Sequence, residues 1–155
     1  MVFIAIFLIL NIIWGAFYFF YYKPFEKAIE TSNGQPYIED GYAYSVDPPY
    51  YLQYTFNVAI TKTRVMNKEG QDISGDTADI LVWPKFFEED EYGVSVMYLV
   101  NQDKNERNYA SSNIYIDSSG NPQDQLSEED SKLFQNHEDE IQLLLEKVHE
   151  KWGIR

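Results

Sequence analysis

From Met1 to Tyr22 the chain reads MVFIAIFLILNIIWGAFYFFYY, a run without Asp, Glu, Lys or Arg in which Asn11 is the one strongly polar side chain. At about 1.5 Å rise per residue, a helix of this length covers roughly the 30 Å hydrocarbon layer of a bilayer. A cleaved export signal would carry a basic segment ahead of its apolar stretch and a small-x-small site after it. Neither stands here: Trp14-Gly15-Ala16 puts an indole where a small residue is needed, and a chain without cysteine cannot carry a lipoprotein signal. Residues 1–22 are therefore expected to be a permanent single-pass transmembrane anchor. The closing FYFFYY reads as an interfacial aromatic belt, beyond which Lys23 extends its ammonium into water. The competing reading is a buried core helix, but core helices seldom run this long without polar breaks.

Orientation is less directly written. Nothing basic precedes the run, whereas Lys23 and Lys27 come after it among Glu26 and Glu30, and that asymmetry taken alone favours a cytoplasmic C-terminal domain. The absence of cysteine suits an oxidising, extracellular setting.

The chain beyond the anchor is long enough for one domain with a core of its own, since the whole has 155 residues, 45% hydrophobic and 17% aromatic. A formal charge of −13 excludes nucleic acid as a partner, because displacing counterions from phosphates requires basic surface. It also disfavours anionic lipid. A basic protein or dissolved cations fit such a charge, as does the plainer role of keeping the domain soluble.

Residues 23–36 read as a stalk, a short helical extension ending in the breakers Asn33-Gly34 and Pro36, and residues 37–155 as an acidic α+β binding domain. In the latter, YIEDGYAYSVDPP has turn chemistry at Asp40-Gly41 and a stop at Pro48-Pro49, giving a short first strand. In YYLQYTFNVAITKTRV, residues Tyr50, Leu52, Tyr54, Phe56, Val58 and Ile60 alternate with Tyr51, Gln53, Thr55, Asn57, Ala59 and Thr61. After a turn at Asn67 to Gly70 come strands in TADILVW, ending at Pro84, in YGVSVMYLVN, and, beyond the loop QDKNERN, in YASSNIYID. The expected sheet is an antiparallel meander of four or five strands. Ser127 then caps an acidic first turn, and Leu133, Phe134, His137, Ile141, Leu144, Leu145, Val148 and Trp152 form one apolar helical stripe that Gly153 terminates. This C-terminal amphipathic helix packs on one face of the sheet and leaves the other uncovered.

Catalytic signatures are missing from the sequence, so no enzyme, cofactor or metal is expected. His137 and His149 lie more than three helical turns apart, and His137 reads as a hydrogen-bonded boundary residue. In DSSGNPQDQLSE, Asp117 and Glu128 have the end spacing of a calcium loop, but Pro122 occupies the position that needs glycine. The consecutive acids Glu88, Glu89, Asp90 and Glu91 form a solvated loop or a contact surface for a cationic partner.

The uncovered sheet face is the candidate binding surface. By the alternation it carries Tyr51, Gln53, Thr55, Asn57, Met97, Tyr109, Asn113 and Tyr115, rigid aromatic area mixed with hydrogen-bonding groups, as in protein interfaces. The same tyrosines also suit ordinary solvent-side strand positions.

In layout, namely one N-terminal anchor, a tyrosine-rich acidic domain, the meander containing YLQYTFNVAITKTRVMNKEGQDI and VSVMYLV, and a closing helix, the chain resembles small membrane-attached immunity proteins of Gram-positive bacteria, of the TipC type. These protect against antibacterial LXG toxins exported by type VII secretion. The resemblance implies an extracytoplasmic domain that binds a cognate secreted toxin through its open sheet face and blocks it. The alternative is a non-catalytic accessory or structural subunit of an envelope or secretion assembly.

Overall fold

The computed structural model describes residues 2–29, 36–66, 68, 75–102 and 107–154. The expected turn at Asn33-Gly34, that at Asn67 to Gly70 apart from Lys68, and the centre of the QDKNERN loop fall outside these residues.

The sheet has six strands rather than four or five: β1 (Tyr37–Glu39), β2 (Tyr42–Asp47), β3 (Asn57–Lys62), β4 (Thr77–Trp83), β5 (Glu91–Gln102) and β6 (Arg107–Ile116). They lie in sequence order, each antiparallel to the next, so the topology is a pure meander. The additional strand comes from Asp40-Gly41, which stands between two strands instead of ahead of one. Both residues have positive φ, 49° and 82°. That is the geometry of a two-residue hairpin turn matched to strand twist.

Register brings one face of every long strand into a common apolar layer. Tyr44, Ile60, Ile80, Val94 and Ile114 stand side by side across five strands, and Val46, Val58, Val82, Tyr92 and Ile116 form the row beside them. All of these except the half-buried Val46 are buried. This layer is covered by two C-terminal helices, α3 (Glu128–Asn136) and α4 (Glu138–Trp152), the latter packing across β3 and β4. The expected stripe holds: Phe134, Ile141, Leu144, Leu145 and Val148 are buried. The single helix is interrupted at His137, whose N–H bonds the Phe134 carbonyl three residues back and whose ring bonds Glu140 at 3.1 Å. Both expected caps are present, with the Ser127 hydroxyl accepting from the Asp130 N–H at 3.1 Å and Gly153 closing α4 at φ 66°. The molecule is α+β.

The N-terminal run forms one continuous 27-residue helix, Val2–Ala28, long and apolar enough to cross a membrane. It comprises α1 (Val2–Phe17), a π-helical turn (Tyr18–Tyr22) and α2 (Lys23–Ala28). Pro24 accounts for the wide turn: its ring crowds the carbonyl four residues back and it lacks an N–H, and the turn before it opens in response. Residues 23–29 do not stand off as a stalk. Phe17, Tyr22 and Ile29 are buried in the domain core and Phe25 packs against it. The indole N–H of Trp152 donates to the Phe25 carbonyl at 3.1 Å, which joins the end of the N-terminal helix to the end of α4.

The strand expected to begin at Tyr50 begins at Asn57. Residues 48–56 form a loop instead, with Leu52 at φ 61° and the Gln53 N–H closing a turn onto the Tyr50 carbonyl at 2.9 Å. Its apolar residues are used against the N-terminal helix: the Phe56 ring lies 4.9 Å from Phe25 and 5.4 Å from Tyr22, and the Tyr54 ring 5.2 Å from Phe17.

A candidate binding face on the open side of the sheet

The face turned away from α4 is read directly from the register. Ser45, Ala59, Leu81, Gly93 and Tyr115 form one row across it, and Ala43, Thr61, Asp79, Ser95 and Asn113 form the next. Met97 and Ser111 continue the series, then Leu99 and Tyr109. The expected residues Asn57, Tyr109, Asn113 and Tyr115 thus do share this face, with Tyr115 56% exposed.

Tyr51 and Gln53 do not. Because residues 48–56 leave the sheet, Tyr51 turns to the N-terminal helix, where its hydroxyl bonds Asn11 and its ring meets the Trp14 indole edge-on at 5.2 Å. The Gln53 carbonyl accepts from the Trp14 indole N–H at 3.2 Å. Gln53 nonetheless borders a cleft of about 490 Å³ together with Tyr50, Asn57 and Trp83, at the end of the open face.

Trp83 belongs to this face although the sequence did not single it out. The alternation in TADILVW, with Ala78, Ile80 and Val82 on the core side, places Thr77, Asp79, Leu81 and Trp83 on the open side. The Trp83 indole lies across the backbone of Gly93; a Cβ there would come within 3.1 Å of the ring. It faces Tyr115 at a centroid distance of 6.4 Å. On that side it walls a smaller cavity of about 280 Å³ with Leu81, Gly93, Asn113 and Tyr115. One indole therefore joins two concavities into a single track along the sheet.

The next row is polar. Asp79 stands opposite Thr61 in the register and lies near Arg64, while its Oδ1 is buried without a partner. Burial pushes its carboxyl pKa above the ordinary value, with Thr61 and Arg64 beside it opposing the shift. Arg64 also reaches the Met97 sulfur at 3.2 Å.

The acids Glu88, Glu89 and Asp90 lie in the loop before β5, and Glu91 opens that strand beside Trp83. Lys85 organises them: its ammonium sits 2.8 Å from Glu91 and 3.9 Å from Glu88, and its backbone N–H donates to Asp90 at 2.8 Å. With Tyr92, Asp117 and Gln123 the three loop acids wall an anionic depression of about 320 Å³. Asp117 spends its carboxylate within its own turn, accepting from the N–H groups of Ser119 and Asn121 at 2.9 and 2.8 Å. These bonds, led by Asn121, hold its pKa below the usual value.

No protein-family model, no curated protein and no solved structure matches the chain.

Proposed function

We propose that the protein is a membrane-anchored, non-catalytic binding protein that neutralises a cognate secreted antibacterial toxin, an immunity protein in the manner of the TipC type that its layout resembles. Residues 1–22 supply the single-pass anchor, and the domain lies on the extracytoplasmic side. The observation that carries this reading is the six-stranded sheet, which among the described residues is covered by helices on one side, while its other side offers Trp83, Tyr115 and Asn113 on a concave track beside an acidic loop. Aromatic anchors in shallow pockets with an unlike-charged rim are the features by which protein interfaces gain affinity and rate. A basic toxin surface is the complement of this charge.

The test pairs the full chain, held in its membrane, with the exported toxin encoded beside it. A stable complex and protection of a sensitive strain are expected, and Trp83→Ala or Tyr115→Ala is expected to weaken the complex at least about tenfold, roughly 1.4 kcal/mol, without unfolding the domain. Protection without a complex, or unchanged affinity in both variants, would overturn the reading of this face. Protease treatment of intact protoplasts tests the orientation, since an extracytoplasmic domain is lost and a cytoplasmic one survives.

A further inference from the structure

The loops that grip the N-terminal helix hold it at the level where an anchor would meet lipid. Loop 48–56 reaches α1 at Asn11 and Trp14, and Phe86 meets Phe17 and Tyr21 at 6.4 and 4.9 Å. This collar takes up the helix from Asn11 to Tyr21, about 15 Å of axis. The interfacial layer of one leaflet is only about 5–7 Å thick, so a helix spanning through residues 2–22 cannot leave the whole collar in water.

The composition of the collar fits that place. Residues 2–22, 48–56 and 86–87 contain no Asp, Glu, Lys or Arg, and charges begin at its rim with Lys23, Asp47, Lys85 and Glu88. Its outer surface is aromatic, with Phe87 91%, Phe20 84% and Tyr50 78% exposed. Inside it an apolar groove of about 460 Å³ runs between Ile12, Ile13, Phe17 and Phe20 on the helix and Phe86 and Phe87 on the loop. Three polar side chains at the helix, Asn11, Trp14 and Tyr51, are paired there. Asn11 donates to the Phe7 carbonyl at 2.7 Å and accepts from Tyr51, and the Trp14 N–H is taken by Gln53. Internal pairing of this kind is what a lipid environment demands.

We infer that the domain is seated in the membrane by its base: the collar of loop 48–56 and Phe86-Phe87 enters the near leaflet of neutral lipid, from the headgroup level down among the acyl chains. The acids next to Phe87 repel anionic headgroups, which selects an uncharged surface. This inference rests on the anchor reading, and the test separates the two.

The chain has no cysteine, so single labelling sites are clean. Phe87→Cys, Ile6→Cys and Ser111→Cys carry an environment-sensitive fluorophore in full-length protein reconstituted into phosphatidylcholine vesicles. Nitroxide lipids report contact with the bilayer and aqueous iodide reports contact with water. The position 6 label is expected to lose most of its emission to nitroxide lipid, the position 87 label to do the same while resisting iodide, and the position 111 label to show the reverse. If position 6 is quenched by lipid but position 87 only by iodide, the anchor stands and the seated collar is overturned. If position 6 is not quenched by lipid, both fail. Shielding of position 87 from both quenchers, with energy transfer between labelled copies, would make the collar a contact between protein molecules and also overturns the inference. Because Phe87 is almost wholly exposed, its substitution removes the ring contact with Phe86 and leaves the buried core untouched.

Discussion

Asp79 shows how one residue of the open face is held against its own stability. Its carboxylate loses hydration in the middle of the polar row, and its neighbours Thr61 and Arg64 return only part of that loss. With the folded pKa above the unfolded one, the folded chain binds the proton more tightly, so stability is lost as pH rises from the unfolded value through the folded one. Asp79→Asn keeps the size of the side chain and removes the charge. At neutral pH it is expected to melt higher than the native chain, and the difference is expected to close as pH falls through the raised folded pKa, where the native carboxyl takes up its proton. A gain that persists unchanged at low pH would assign it to another cause. Gly93 acts through space rather than charge. Gly93→Ala sets a methyl 3.1 Å from the Trp83 ring, so the indole has to shift by a few tenths of an ångström. The expected cost is on the order of 1 kcal/mol. Altered near-ultraviolet circular dichroism with an unchanged far-ultraviolet spectrum is the expected signature.

The N-terminal helix works as two elements joined by the π turn ahead of Pro24. Its first part exposes most of its side chains, including Phe3 at 87% and Ile12 at 70%. From the last residue of α1 onward the chain turns inward, burying Phe17, Tyr22 in the π turn, and Ile29 just past α2. At roughly 1.5–3 kcal/mol for each fully buried large side chain, removing those three costs on the order of 5 kcal/mol, comparable with the whole stability of many domains. A chain starting at residue 30 is accordingly expected to unfold or aggregate when expressed alone. One starting at residue 11 is expected to keep the sheet and α4. Circular dichroism and thermal melts of the two in mild detergent distinguish them, and equal stability would show the docking to be dispensable. The C-terminal element needs no such support, since its cap, acidic first turn and terminating glycine are all local.

Across the whole molecule, the sheet and the N-terminal helix share one core, which places the candidate binding face and the aromatic collar on the same folded unit. Lys151 adds to that unit, bonding Glu39 at 2.6 Å and lying over the Tyr37 and Tyr44 rings, which ties α4 to the edge of the sheet. The hydrogen bond to Lys151 lowers the Glu39 pKa, so this tie contributes above the unfolded carboxyl value and is lost as pH falls through the folded one. Much of the architecture was legible in the residues because it is local. A 22-residue uncharged run, period-two alternation in β4 to β6, and a capped apolar stripe each depend on neighbours within a few positions. The first hairpin was legible as well, in Asp40-Gly41, had strands been expected on both sides of it. Asn57, Tyr109, Asn113 and Tyr115 were placed on the right face for the same reason. Tyr51 and Gln53 were not, because alternation shows only that successive side chains meet unlike surroundings and does not say what supplies the apolar side. Here a helix some 40 residues upstream supplies it, drawing Tyr54 and Phe56 out of the strand pattern and Phe25 and Ile29 out of the expected stalk. By itself, then, the sequence determined a membrane-length helix, a meander and a capped C-terminal helix. Where the helix ends and the domain begins was decided only by tertiary packing, because burying aromatic surface between distant segments outweighs the weak local preference of either for strand or stalk.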